Sequence, residues 1–253
     1  MIEGWLSAKA IIIGAWFVAL ALGERLAPAA ARPPQSDRPR LTRNLSLWAA
    51  NTLLNPLIIV PITLAATSLD IWSRPDGPLW AELVFDLLLL DLWTYAWHRA
   101  NHRWPLLWRF HRVHHLDQFL DATSAVRFHP GEVLISALAR APLLILADVP
   151  LLHVALFDTL LITAALFHHS NLRLPRRLEA ALRRVIVTPS HHWVHHHLER
   201  SDTDSNYGAL LTVWDRLFRS WSPHERRPDM TIGIPGGAPD QALLKLAVAP
   251  FRP

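Results

Sequence analysis

The sequence predicts an all-α integral membrane bundle, with about four to five membrane-embedded helices under a cytoplasmic, histidine-rich helical cap, in a single domain over 1–253. Three observations predict it. Apolar runs recur through the first two thirds of the chain, the part from about Asn171 onward is more polar, and arginines crowd the connections on one side only. The composition agrees: 51% of residues are hydrophobic, and the 12 tryptophans often flank the apolar runs, as interfacial anchors do. Cysteine is absent, which excludes disulfides, iron–sulfur clusters and thiolate zinc sites.

The first predicted span, 5–23, contains "AIIIGAWFVALALG" and reaches crossing length with Trp5 and a snorkelling Lys9. A signal peptide cleaved at "APAAA" is the rival reading, disfavoured by Glu3 beside Lys9. The second span, 45–69, lies in a stretch from Asn44 to Leu69 without a charged residue, and Pro56 and Pro61 are expected to kink it. The third, 79–98, carries Glu82, Asp86 and Asp91, and a carboxylate at membrane depth needs an interior partner or a water-filled cavity. Glu82 and Asp86 fit a position near a membrane surface; Asp91 does not. The runs 131–147 and 151–167 form an apolar hairpin turned at "DVP", each short enough that half-insertion is an alternative to crossing.

Arginine placement orients the set. The first connection holds Arg25, Arg32, Arg38, Arg40 and Arg43, and Arg99, Arg103, Arg109, Arg112 and Arg127 follow the third span, whereas "SRPDGP" holds one. The positive-inside rule puts the cap, 98–130 and 169–228, on the cytoplasmic face of a multi-pass protein of the inner (cytoplasmic) membrane. These flanking positions account for the arginines without nucleic acid as a partner. In the cap, "LLTVWDRLF" is a short amphipathic helix whose Trp214, Leu217 and Phe218 pack on the cap or lie on lipid. The tail, 229–253, shows Gly/Pro turns, a short apolar helix and no chemistry.

Fifteen histidines are present and most fall in clusters. His98 and His102, four apart, project together from the end of the third span. His111, His114 and His115 form an i, i+3, i+4 triplet, and His192, His195 and His196 repeat it. Stepping back from His98 along the same stripe meets Tyr95 and Asp91, which places a carboxylate to accept the distal ring N–H of a ligand. His191 and His197 lie off the triplet face; His129 is a structural hydrogen-bonder or a ligand; His153 and His224 stand apart. Asp204, in "ERSDTDSNYG", fits loop capping better than metal contact, with the option of orienting a third-cluster histidine. One zinc takes four ligands, so eight or nine convergent imidazoles overfill one site and suit two metals; imidazole nitrogen serves iron, copper or zinc. A membrane zinc hydrolase and a non-enzymatic metal-binding membrane protein are the alternatives. The first lacks H-E-x-x-H and any glutamate inside the triplets, and the second sits poorly with ligands at one membrane face.

The three boxes "HRANH", "HRVHH" and "HWVHH", with "LLWRFHRVHH", "TSAVRFHPGE", "FHHSNLRLP", "VTPSHHWVHHH" and "DSNYG…WDRLF", resemble the fatty acid hydroxylase/sterol desaturase superfamily of membrane-bound di-iron proteins, most closely its bacterial members. The resemblance runs from "RNLSLWAANTLL" to "WDRLF". It implies the ligands His98, His102, His111, His114, His115, His169, His192, His195 and His196, with Asn171 holding a metal-bound water. His168, His191 and His197 stand where relatives usually carry other residues, and Trp193 replaces an arginine common in the third box. The resemblance further implies two iron ions (zinc as a surrogate in purified protein) and O₂ as co-substrate. It also implies a lipid substrate from the bilayer (sterol, fatty acyl or related lipid) that is hydroxylated or desaturated, and a separate electron donor: a ferredoxin, a cytochrome b5-like protein or a reductase.

Overall fold

The computed structural model describes residues 2–32, 37–75, 77–234, 236 and 238–252; among them the elements are helices, with three isolated bridges and no strand. Expectations that rest on the side chains of Glu3 and Trp5, or on residues 1, 33–36, 76, 235, 237 and 253, lie outside the described residues. The all-α expectation holds.

Helix α1 (Ile2–Leu26) is followed by α2 (Asp37–Leu54), which continues through a π-turn at Asn55–Ile59 into α3 (Val60–Thr67). Pro56 has no N–H to donate, and the ladder is re-made one residue wider, with the Val60 N–H on the Asn55 carbonyl. Pro61 falls in the first turn of α3, where a missing N–H costs little. The predicted kink is therefore a π-turn at the first proline. Helix α4 (Leu79–Arg103) ends just before Pro105, which opens α5 (Pro105–His115). After a 3-10 turn at Ala122–Val126 come α6 (Pro130–Leu146) and α7 (Leu151–His169), then the short cap helices α8 (Arg176–Leu182), α9 (Pro189–His195), α10 (Arg200–Thr203) and α11 (Val213–Leu217), and the tail helix α12 (Leu243–Val248). Helix α7 is the hub, touching α1, α3, α4, α9 and the 3-10 turn.

Two stretches, Arg38–Thr67 and Leu151–His169, are long and apolar enough to cross a membrane, and only 11% and 22% of their apolar windows are buried in the fold. At 1.5 Å per residue the second is about 28 Å long, close to the hydrocarbon thickness of a bilayer.

The acidic residues of α4 find partners that the sequence did not assign. Asp86 is fully buried and held by a two-pronged Arg74 contact (2.7 and 2.8 Å) and by His153 Nδ1 (2.6 Å). His153 is thus tied into an ion-pair cluster at the loop end of the bundle. Asp91 receives the backbone N–H of Leu210 (3.1 Å) and Leu211 (3.2 Å) and the indole N–H of Trp214 (2.7 Å). It holds the segment before α11 rather than a histidine.

Candidate metal centre

Ring rotation about the helix axis decides which histidines meet. In α5, residues four apart differ by about 40° around the axis, but neighbours differ by about 100°. His111 and His115 therefore converge on one point while His114 turns away to another. The i, i+4 pairs His98/His102, His111/His115 and His192/His196 each stay within one group. With His195, the first two pairs form a five-histidine group; His192 and His196 join His114 and His169 in a four-histidine group, and in each the offered nitrogens lie within 4.8 Å of one another. The nine histidines expected as ligands are those that the structure brings together. The two groups abut, with the His115 and His196 rings stacked at 4.3 Å.

Five of the nine rings are fixed by an acceptor on Nδ1. His98 donates to the Tyr207 carbonyl (2.9 Å), His114 to the Arg127 carbonyl (3.2 Å), His169 to the Ala165 carbonyl (2.8 Å) and His195 to the Ser205 carbonyl (2.6 Å), while His111 meets Glu132 Oε1 (2.7 Å). A carbonyl only accepts, so those four rings carry the proton on Nδ1 and present an Nε2 lone pair inward. The Nε2 atoms of His114 and His169 then face each other at 3.0 Å, lone pair to lone pair. His192 Nε2 lies 3.0 Å from that of His169 and 3.1 Å from that of His196. Nitrogens bound at about 2.0–2.1 Å to a common ion sit roughly 2.9–3.4 Å apart, so this spacing fits a shared cation.

The unsatisfied atoms point the same way. Both ring nitrogens of His102 and His115, Nε2 of His111 and His195, and Nδ1 of His192 and His196 are buried without a hydrogen-bond partner. Such a concentration inside one cap needs a ligand to account for it. Burial first, and neighbouring histidines second, hold His102, His114, His115, His192 and His196 well below the ordinary imidazole range. Neutral rings are what a metal requires. Water is kept out by aromatic neighbours: Phe128 stacks on His114 (4.6 Å), and Trp108 and Tyr207 lie 5.0 and 5.2 Å from His102.

The expected supporting residues fare differently. Asp204 Oδ1 comes within 3.7 Å of His102 Nδ1, and Arg200 holds its other oxygen at 3.1 Å. Tyr95 meets Ser220 Oγ (2.7 Å) and Arg99, and its ring stacks on Phe218; it touches no ligand group by hydrogen bond. His129 accepts from the Gly131 N–H and reaches the Ala247 carbonyl, so both its nitrogens serve structure. Asn171 ties its amide to Ala30, accepting from the backbone N–H and donating to the carbonyl, both at 2.9 Å, and so braces the segment after α1. His191 and His197 face Asp215 (3.3 Å) and Asp202 (2.8 Å), outside both groups. His168 packs on His192 with ring centroids 4.2 Å apart. His224 also pairs with Asp202, at 2.7 Å.

Sequence reasoning missed Glu132, although "RFHPGE" displayed it. It also missed a buried ion-pair network beneath the cap. Arg127, whose carbonyl holds His114, is clamped by Asn44 (2.9 Å) and Asp240 (2.5 Å), and Arg40 joins Asp117 (3.1 Å) to Asp121. Asp240 belongs to the tail, which thereby supports His114 from behind.

Residues 83–220, the stretch that carries every member of both groups, match the Fatty acid hydroxylase family. Among curated proteins, the chain is 28% identical to ornithine lipid hydroxylase OlsE of Rhizobium tropici over 194 residues, covering 76% of this chain and 57% of that protein. It is 30% identical to alkylglycerol monooxygenase of Danio rerio (53% of this chain, 29% of that protein) and 28% identical to lathosterol oxidase of Mus musculus (64% and 56%). The chain thus spans little more than half the length of two of these relatives and under a third of the other. No solved structure matches it. With the family match covering more than half of its residues and the whole histidine constellation, the chain belongs to the fatty acid hydroxylase family.

Proposed function

We propose that this chain is a membrane-embedded, non-haem di-iron oxygenase that hydroxylates or desaturates a C–H bond of a lipid, built as one domain with its histidine cap on the cytoplasmic side. One observation carries the reading: two adjoining, largely buried groups of imidazoles whose nitrogens converge within 4.8 Å of one another, several of them without a hydrogen-bond partner. His98, His102, His111, His115 and His195 would hold one iron, and His114, His169, His192 and His196 the other. The relatives named for an ornithine lipid, an alkylglycerol and lathosterol support a lipid substrate.

When bound, two irons supply the activation of O₂ that an unactivated C–H bond demands. Hydroxylation balances as R–H + O₂ + 2e⁻ + 2H⁺ giving R–OH + H₂O; in desaturation two hydrogens leave and two waters form. The chain's own part is to orient and to exclude. Four backbone carbonyls and Glu132 lock five rings in one tautomer, so the ligand geometry is set before metal arrives. Phe128, Trp108 and Tyr207 keep water from the rings, and the apolar exterior of the helices gives a bilayer substrate a route that avoids water.

The test joins metal analysis of anaerobically handled protein to comparative lipid analysis of cells with and without the gene, with His192→Ala as control. About two irons per chain and a lipid product lost in the control are expected. Stoichiometric zinc with no iron-dependent change in any lipid would overturn the reading.

A further inference from the structure

Two aromatic residues, Trp221 and His191, pair outside both histidine groups. Trp221 lies half-buried at the surface, with the guanidinium groups of Arg183 (5.1 Å) and Arg216 (4.6 Å) over its ring. Its ring meets that of His191 at 4.5 Å. His191 is itself buried and adjoins His192, a member of the four-histidine group, in the chain. An aromatic pair therefore runs from the surface to the backbone of α9, where His191 is bonded to His192. Asp215 secures the inner end, at 3.3 Å from His191 Nε2, while accepting from the Tyr207 N–H (2.7 Å) and the Ser220 hydroxyl (2.8 Å).

The surface around the outer end is basic. Arg184, Arg216 and Arg219 are exposed, and Arg183 is partly so; Arg216 is braced by the Arg183 and Arg184 carbonyls, which fixes its guanidinium over the indole. Glu225 approaches Arg183 at 3.7 Å but is 73% exposed, so water screens it and the patch keeps its positive sign.

We propose that the arginine-ringed face of Trp221 is the docking seat of an acidic one-electron carrier protein, with Trp221 and His191 forming the lead to the His192 side of the centre. The inference rests on the oxygenase reading, because that reaction consumes two electrons per O₂ and the chain, having no cysteine, holds no iron–sulfur cluster of its own. Each encounter oxidises one reduced carrier and passes one electron inward; two encounters, with two protons, balance the conversion of one C–H and one O₂ to C–OH and water. Fixed guanidinium groups around a flat aromatic ring suit a small, charge-steered, short-lived interface, the kind that serial one-electron delivery needs.

The test uses the full chain, iron-loaded, in nanodiscs of zwitterionic lipid, with an acidic [2Fe–2S] ferredoxin as probe. Binding is titrated over a range of salt, and ferredoxin reoxidation is followed by its visible absorbance after anaerobic mixing. Arg183→Glu with Arg184→Glu is expected to weaken binding at least tenfold and to flatten its salt dependence. Trp221→Phe should behave as the native protein. Trp221→Leu should bind normally yet reoxidise ferredoxin at least tenfold more slowly, with reduction by dithionite and a small neutral mediator unchanged. Unaltered binding in the charge-reversed protein overturns the proposal, as does unaltered reoxidation in Trp221→Leu, or a slowing that dithionite shares. A native chain that ignores ferredoxin and uses these arginines to hold phosphatidylglycerol vesicles overturns it too. If the charge-reversed protein fails to fold, Arg183→Gln with Arg184→Gln gives the same reading through its salt dependence. Docking that persists in a chain that takes up no iron keeps the seat and removes the oxygenase reading instead.

Discussion

Glu132 is the one side chain among the five acceptors that orient the clustered histidine rings. Its Oε1 accepts from His111 Nδ1 at 2.7 Å, which fixes the ring and raises the basicity of the inward nitrogen. Glu132→Ala is expected to lower metal affinity by roughly 10- to 100-fold, while Glu132→Gln, which keeps an acceptor, loses much less; metal titration of the purified variants checks this. The histidines were legible in the sequence because i, i+4 spacing is a property of the chain alone. Their carbonyl acceptors at Arg127, Ala165, Ser205 and Tyr207 were not, since every residue carries a carbonyl and only the fold selects four of them. Glu24 supplies a second residue-level test. Its carboxylate receives the Ala122 N–H (2.7 Å) and the Asn171 N–H (2.9 Å), and burial, with Asp121 nearby, raises its pKa from 4.5 to about 7. A carboxyl that holds its proton more tightly when folded stabilises the fold below pH 4.5 relative to higher pH. That contribution is lost as pH rises through about 7. Glu24→Gln should flatten the fall in stability between these values, as read by thermal unfolding across pH.

At the scale of elements, the stripe through Asp91, Tyr95, His98 and His102 runs along α4, and its lower half holds the segment around α11. Asp91 gathers three donors from the segment at 210–214, and so sets the position of Tyr207, whose carbonyl then holds His98. The contact joins residues about 120 positions apart, which no local pattern reveals. Asp91→Ala leaves two backbone N–H groups and an indole N–H without their acceptor, a cost of about 3 kcal/mol or more at ~1–3 kcal/mol per buried donor. Its loss should loosen the five-histidine group before the four-histidine group, visible as release of the first half of the bound metal at lower chelator concentration. The π-turn at Asn55–Ile59 was half legible: the sequence marked the proline, but whether a helix kinks or widens its ladder depends on the neighbours that pack against it.

Across the whole molecule, polarity is reversed relative to a protein folded in water. Among the described residues, polar and charged side chains outnumber apolar ones in the buried set, while Leu57, Leu79, Trp80 and Ile11 are all more than 70% exposed. Exposed apolar area on this scale is stable against lipid and adhesive in water, which is the main support for reading the helices as bilayer-embedded. The fold class was visible in composition for that reason. The buried ion pairs were not, because Arg40, Arg127, Asp117 and Asp240 look like ordinary surface charge until the loops that carry them close. Asp240→Ala should be among the more damaging single changes in the tail. It strips the main ionic partner from the fully buried Arg127, a loss of about 3–5 kcal/mol for an uncompensated buried charge; detergent-solubilised thermal melts measure it.

Helix α5, and α9 with the His196 that caps it, each send side chains into both histidine groups: His111 and His115 to one and His114 to the other, then His195 to one and His192 with His196 to the other. Two short helices thus act as shared beams, and setting one group sets most of the second. Uptake of iron should therefore be concerted. At one equivalent of iron per chain, native mass spectrometry is expected to show empty and doubly filled chains, with the singly filled species under-represented relative to independent filling.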